Sequence, residues 1–248
     1  MPKRRLDQLL IERGLAPTSE HARALIMAGR VHGLGRIYDK PGMALTTDIE
    51  LSLTPDKEFV SRGGQKLRAA LDTWPIAVAG RVCADLGAST GGFTDLLLQR
   101  GAERVYAFDV GHGQLHDRLT RDQRVVVFDG TNARDLPAMN PPPAVVTVDL
   151  AFISATAVMS AITRVARPAT DVVVLVKPQF EAEREAVDHR GVVPDPARRA
   201  ASVAAVVAAA RSRAWRAGGV LRSPISGAGG NQEYLLWLRT PGGEEDRT

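Results

Sequence analysis

Five β-rich stretches in this chain each run into a charged residue, and their spacing dictates a layered α/β fold. Val82-Cys83-Ala84-Asp85, Val105-Tyr106-Ala107-Phe108-Asp109, Val125-Val126-Val127-Phe128-Asp129 and Val145-Val146-Thr147-Val148-Asp149 end in aspartate, and Val172-Val173-Val174-Leu175-Val176-Lys177 ends in lysine. The aspartates recur at intervals of 24, 20 and 20 residues, about the length of one strand–helix–strand step. In a parallel sheet all strands end on one edge, and ligands bind in the crevice outside it. Five charged side chains are thereby predicted to converge on one cleft, which points to an enzyme.

Composition sets the outer limits. A chain of 248 residues, 44% hydrophobic and 24% charged, can bury the core of one large domain plus a small one. The net charge of +4 favours a polyanionic partner without requiring one. The one cysteine, Cys83, excludes a disulfide framework or a multi-thiolate zinc site, and no metal centre is expected. Met1-Pro2-Lys3-Arg4-Arg5 leads into an amphipathic pattern rather than the apolar core of a signal peptide. The apolar segment 144–163 contains Asp149, which would cost about 2.5–3.5 kcal/mol near the centre of a membrane helix. It reads as strand plus helix, and the chain as cytoplasmic.

Residues 1–58 form a separate small α+β unit. Leu6, Leu9 and Leu10 share one helical face that Gly14 ends, and Thr18 or Ser19 caps a second helix carrying Ala22, Leu25 and Ile26 inward. A β segment near Val31 and a strand over 49–53 follow. Residues 1–40 hold eight Lys/Arg against four Asp/Glu. Arg4, Arg5, Arg23, Arg30 and Arg36 lie mainly between the apolar positions, as a solvated face or as a phosphate-contacting surface. Arg5-Leu6-Asp7, Leu10, Gly14-Leu15-Ala16, Ser19, Ala22, Ile26 and Gly29-Arg30-Val31 resemble the small RNA-binding domain of ribosomal protein S-four and pseudouridine synthases. Val31-His32-Gly33 stands where that domain usually has Val-Asn-Gly. Pro55 to Gly64 reads as a connection, with the linker proper at 59–65 and Gly63-Gly64 leading into the next helix. Residues 241–248 read as a disordered tail.

The segment Asp85-Leu86-Gly87-Ala88-Ser89-Thr90-Gly91-Gly92 follows a strand and opens a helix bearing Phe93, Leu96, Leu97 and Leu98. Glycines admit close backbone approach, and a helix start offers free N–H groups. It matches neither the dinucleotide fingerprint nor the phosphate-binding P-loop. An acid directly before the loop would repel pyrophosphate and suits a ligand with an ammonium and a carboxylate, such as the methionine part of S-adenosylmethionine. Asp109 is placed to accept from two ribose hydroxyls, and Asp129 from an adenine amino group. A nicotinamide enzyme shares the first two features.

The fourth and fifth strands narrow the chemistry. Base N-methyltransferases usually carry Asn/Asp-Pro-Pro-aromatic at the fourth strand end, where this chain has Asp149-Leu150-Ala151-Phe152. Carbon-directed methylation of pyrimidines needs a cysteine nucleophile, and Cys83 sits inside a strand. A hydroxyl acceptor remains. Its proton needs an acceptor, which lysine can be and arginine cannot. The chain uses 27 arginines and five lysines, and two of the five are Lys66 and Lys177. Lys66 opens a helix bearing Leu67, Ala70, Leu71 and Trp74, where a cation opposes the helix dipole. Glu233, in Asn231-Gln232-Glu233-Tyr234, starts a late strand that can return it beside the cleft.

Seven ordered motifs make the resemblance specific. Ser61-Arg62-Gly63-Gly64-Gln65-Lys66-Leu67, Gly87-Ala88-Ser89-Thr90-Gly91-Gly92-Phe93-Thr94, Asp109-Val110-Gly111-His112-Gly113-Gln114-Leu115, Thr131-Asn132-Ala133-Arg134, Asp149-Leu150-Ala151-Phe152-Ile153-Ser154, Val176-Lys177-Pro178-Gln179-Phe180-Glu181 and Asn231-Gln232-Glu233-Tyr234 resemble the TlyA family. This family of ribosomal RNA 2′-O-methyltransferases also bears the name haemolysin. The resemblance runs from about residue 4 to residue 240. It implies a Rossmann-like methyltransferase domain of the FtsJ type over 66–240, with a seven-stranded, mostly parallel sheet and helices on both faces. It implies S-adenosylmethionine as cofactor, bound by Asp85, Gly87, Ala88, Ser89, Gly91, Gly92, Phe93, Asp109, Val110, Asp129 and Asp149. It maps a catalytic tetrad onto Lys66, Asp149, Lys177 and Glu233, and implies a cytidine ribose in ribosomal RNA, within ribosomal subunits, as acceptor. Departures are Ala151 for serine, Asp129 for glutamate, and Glu58-Phe59-Val60 for the family's Arg-Ala-Trp. The rival readings are a membrane-active haemolysin and an RNA-binding assembly factor whose cofactor pocket is unused.

Overall fold

The computed structural model describes residues 2–27, 29–53 and 58–242, with the backbone alone at Ala228. It divides into two compact units, Met1–Glu58 and Phe59–Thr248. Part of the expected connection, 54–57, and most of the expected tail, 243–248, lie outside the described residues.

In the first unit, β1 (Lys3–Arg5) leads into α1 (Leu6–Glu12), followed by α2 (Ser19–Met27), β2 (Val31–Gly33), β3 (Arg36–Tyr38), β4 (Ala44–Thr46) and β5 (Ser52–Leu53). Leu6, Leu9, Leu10, Ala22, Leu25 and Ile26 are buried together with Val31 and Tyr38, so the helical spacing faces one core. Of the two candidate caps of α2, Thr18 acts: its Oγ1 accepts from the His21 amide at 3.1 Å. The strand expected over 49–53 shrinks to β5. Ile49 and Leu51 go into the core instead of a ladder.

In the second unit, α3 (Gly63–Thr73) precedes β6 (Val82–Leu86), α4 (Gly92–Gln99), β7 (Arg104–Phe108), α5 (Asp117–Thr120), β8 (Val125–Phe128) and β9 (Val145–Val148). Then come α6 (Met159–Val165), β10 (Asp171–Val176), α7 (Pro178–Glu181), α8 (Pro196–Arg211), β11 (Arg216–Arg222) and β12 (Tyr234–Arg239). The seven strands lie in the order β11-β12-β10-β9-β6-β7-β8. β6 to β10 are mutually parallel, and β12 runs antiparallel to both β10 and β11. Both faces of the sheet are covered, as the unbroken Val/Leu runs require. Val172, Val174 and Val176 pack toward α6 and α8, whereas Val173 and Leu175 pack toward α3 and α4. Strand order reverses between β6 and β9, the position where such sheets open a ligand crevice.

Register corrects one part of the strand-end expectation. β6 runs through Asp85 to Leu86, and Leu86 pairs with both Phe108 and Val148. Asp109 and Asp149 therefore stand level with Gly87, while Asp85 lies two residues inside the sheet. On the other side Val148 pairs with Val174, so Lys177 projects two residues beyond Asp149. Tyr234 pairs with Val176, which brings Glu233 level with Lys177.

Candidate active site

The edge so formed borders a cavity of about 630 Å³, within the roughly 300–1,000 Å³ of small-molecule sites. Two ion pairs border it. Lys66 Nζ, from the first turn of α3, lies 2.5 Å from Glu233 Oε2, and Lys177 Nζ lies 2.6 Å from Asp149 Oδ1. Lys66, Asp149 and Lys177 line the cavity directly. Glu233 stands behind Lys66 with 2% of its side chain exposed. Gly227 makes room for that carboxylate, because a Cβ there would collide with it. Arg62 Nη2 donates to the Ser226 carbonyl at 2.8 Å, tying the start of α3 to the same loop. Asn231 holds the loop's far side through the Gly191 carbonyl and the Val193 amide. Three of the four tetrad residues thus line one cavity with Glu233 paired to Lys66 behind it, Lys66 from α3 and the others from just past β9 and β10 and just before β12.

The glycine-rich loop forms a second wall. Gly87, Ser89 and Gly91 adopt left-handed conformations, with φ of 84, 48 and 96°, which fold residues 87–91 tightly over the ends of β6 and β7. Gly87, Ala88, Ser89, Gly92 and Phe93 line the cavity, as do Asp109 and the exposed Val110. Asp109 is held by the Ser89 amide (2.8 Å) and the Gly111 amide (2.7 Å), one at each oxygen, which leaves further lone pairs free for hydroxyl donors.

Three expected cofactor residues do not line the cavity. Asp85 is fully buried and accepts from Thr94 N (2.9 Å), Thr94 Oγ1 (2.7 Å) and Thr147 Oγ1 (2.8 Å). It caps α4 in place of Gly91, which has no side chain to do so. Burial pushes its carboxyl up to about 6, against the hydrogen bonds from Thr94 and Thr147. Gly91 packs against Leu115 and Leu119 rather than facing a ligand. Asp129 is exposed and accepts from the Gly113 amide at 2.8 Å. Thr131 and Asn132, just past it, line the cavity instead. Cys83 is buried and its thiol is pushed up to about 12 by that burial, so it is inert as a nucleophile.

Phe152, in the Asp149-Leu150-Ala151-Phe152 motif, stands out in the structure in a way its sequence does not signal. It lines the cavity with 88% of its surface exposed and φ of 66°, a conformation rare for a bulky residue. Its ring meets Phe180 at 5.4 Å. Positive φ at a non-glycine residue leaves no mark in sequence.

The first unit carries the expected arginines differently. Arg5 donates to both oxygens of buried Asp7 (3.0 and 2.8 Å), and Arg23 Nε stands 3.6 Å from the same carboxylate. Arg4 is exposed on β1, Arg30 is half-buried, and Arg36 lies over the Tyr38 ring at 4.8 Å. Two of the five therefore also hold the local fold.

Comparison with known proteins now decides the family. The model of the FtsJ-like methyltransferase matches residues 59–240, and that of the S4 domain matches 4–48. The chain belongs to the FtsJ-like methyltransferase family. Within it, the chain is 48% identical over 240 residues to the 16S/23S rRNA (cytidine-2′-O)-methyltransferase TlyA of Mycobacterium tuberculosis, covering 95% of this chain and 90% of that protein. Hemolysin A of Brachyspira hyodysenteriae is 37% identical, with 93% and 98% covered. A solved hemolysin candidate from Streptococcus thermophilus superposes with a TM-score of 0.73 at 38% identity, covering 98% of this chain and 92% of that one. The relatives thus carry both names, and the Streptococcus thermophilus structure shares the fold of this chain. Among the described residues no helix is long and apolar enough to cross a membrane.

Proposed function

We propose that this protein transfers a methyl group from S-adenosylmethionine to the 2′-hydroxyl of a cytidine ribose in ribosomal RNA, with ribosomal subunits as substrate. The observation that carries the reading is the pairing of two lysines with two acids, Lys66–Glu233 and Lys177–Asp149, at one cavity. The cavity's chemistry fits the cofactor. Asp109 would take its ribose hydroxyls, Thr131 and Asn132 the polar edge of adenine, and Ala133 and Leu150 the apolar face. With Asp85 turned into the core, Asp149 is the acid that remains for the ammonium. S-adenosylmethionine supplies an electrophilic methyl on a sulfonium.

The protein's own residues orient the acceptor and move its proton. Lys177, oriented by Asp149 and acting in its unprotonated form, receives the proton that leaves the 2′-oxygen as the new O–C bond forms and the methyl–sulfur bond breaks. Lys66, backed by Glu233, anchors the ribose. The Lys66 ammonium offsets Glu233 and the cofactor's sulfonium charge would offset Asp149, and positioning supplies much of the acceleration. Phe152 offers an exposed aromatic face at the mouth of the cavity on which the target base can stack. The S4-type unit supplies phosphate contacts and shape rather than base reading. The test is methyl incorporation from labelled cofactor into unmodified ribosomal subunits. Lys177→Ala should lower the rate by on the order of 10²–10⁴ while calorimetry still detects the cofactor. No incorporation by the wild type would overturn the function, and full incorporation by the variant would remove Lys177 from it.

A further inference from the structure

One carboxylate beside the tetrad has no part in the chemistry above. Glu181 closes α7, four residues after Lys177. Its Oε1 accepts from the Ala155 amide at 2.7 Å, and its Oε2 from the Ser154 hydroxyl at 2.6 Å. Ser154 Oγ in turn accepts from the Thr156 amide at 3.1 Å, capping the turn over Ala155–Val158. Glu181 therefore bridges two segments. One leaves β9 carrying Asp149, and the other leaves β10 carrying Lys177. The same segments meet again where Phe152 packs on Phe180.

The loop so bridged is strained. Phe152 lies midway between Asp149, whose amide donates to the Leu86 carbonyl at 2.9 Å, and Ser154, which Glu181 holds. A bulky residue in the left-handed region costs about 1–3 kcal/mol and persists only where its surroundings fix both sides. The sheet fixes one side and Glu181 the other. Keeping a carboxylate there is itself unfavourable: burial pushes Glu181 up, against the hydrogen bonds of Ser154 and Ala155.

We propose that Glu181 is a positioning residue for methyl transfer, pinning residues 154–155 so that Phe152 stands at the cavity mouth and Asp149 stays opposite Lys177. Its effect on rate rests on the methyltransferase reading, whereas the clamp itself does not. Glu181→Ala removes both acceptors. Glu181→Gln keeps the shape, with an amide oxygen for the Ala155 amide and an NH₂ for the Ser154 oxygen. Ser154→Ala deletes one contact.

The experiment measures kcat on unmodified ribosomal subunits, cofactor affinity by calorimetry, and hydrogen exchange of peptides spanning 150–156. Glu181→Ala should lose kcat on the order of 10²-fold, as misplacement by about 1 Å does, with a much smaller loss of cofactor affinity and the thermal midpoint nearly unchanged. Glu181→Gln should stay within about threefold of wild type, and Ser154→Ala should fall between. Exchange over 150–156 should quicken in Glu181→Ala and not in Glu181→Gln. Wild-type kcat in Glu181→Ala overturns the proposal. So does a loss that tracks weaker cofactor binding and is not rescued by glutamine. Should the wild type fail to methylate subunits, the proposed function falls, and exchange alone judges the clamp: faster exchange upholds it, unchanged exchange overturns it.

Discussion

The two units place their charges in opposite ways. In the catalytic unit Lys66 and Glu233 are 167 residues apart, meet at 2.5 Å, and are both largely buried. In the S4-type unit Arg5 and Asp7 are two residues apart, and the arginine side chain is half exposed. A distant buried pair exists only when the whole fold has formed, so its loss damages fold and chemistry together. A local pair with its arginine at the surface survives on its own stretch of chain, and that arginine keeps part of its guanidinium facing solvent, where a phosphate can reach it. Large single-residue effects should therefore concentrate in the first region and small, salt-sensitive ones in the second.

The largest effect is expected at Lys66. Lys66→Ala leaves Glu233 buried and uncompensated and should lower unfolding free energy by about 3–5 kcal/mol in urea titrations. Adding Glu233→Gln should restore most of that stability and none of the activity, which separates the structural part of the pair from the chemical part. Stability recovered together with turnover would break the comparison.

Asp85 comes next, through pH. Its folded-state carboxyl titrates near 6, above the ordinary 3.8, so folding favours the protonated form. Stability should be fully present below about pH 4 and fall by on the order of 2–3 kcal/mol as pH rises through 6. Urea unfolding between pH 4 and 7.5 should show this decline in the wild type and a flatter profile in Asp85→Asn. Identical profiles would remove the buried-acid account.

A smaller effect belongs to Phe152. Phe152→Ala should raise KM for ribosomal subunits by the equivalent of about 1–3 kcal/mol of stacking, with cofactor affinity unchanged in calorimetry. The smallest belongs to the S4-type unit. Arg4→Ala should weaken RNA binding modestly and reduce the slope of log affinity against log salt by about 1. A slope that does not change would take Arg4 off the RNA-facing surface.

Much of this arrangement was legible in the sequence, for reasons that also explain the failures. Runs of Val and Leu ending in charge identified Asp109, Asp149 and Lys177, because strand ends in a parallel sheet share an edge. The same rule misplaced Asp85. The rule counts residues to a strand's end, and sequence does not reveal that β6 runs one residue past the acid and that neighbouring strands are staggered by two. Asp129 departs differently: it does sit at a strand end, but its exposed carboxylate turns to the Gly113 amide and does not line the cavity, where Thr131 and Asn132 stand instead. Glu233 was readable only as a conditional, since its value depends on a lysine 167 positions away. The backbone of Phe152 and the reach of Glu181 to Ala155 are set by tertiary contacts with no local signature. In the small unit, helical spacing gave the core correctly, while the hold of Arg5 and Arg23 on Asp7 was hidden among charges that looked alike.

The account stands or falls on which atom receives the methyl. Ribosomal subunits methylated with labelled S-adenosylmethionine can be stripped of protein and their RNA hydrolysed in alkali, which needs a free 2′-hydroxyl to cut the adjoining phosphodiester. Label recovered in an uncut dinucleotide containing cytidine is the expected result. Label recovered in free mononucleotides would place the methyl on a base and contradict a site built from two lysines and two acids around a ribose oxygen.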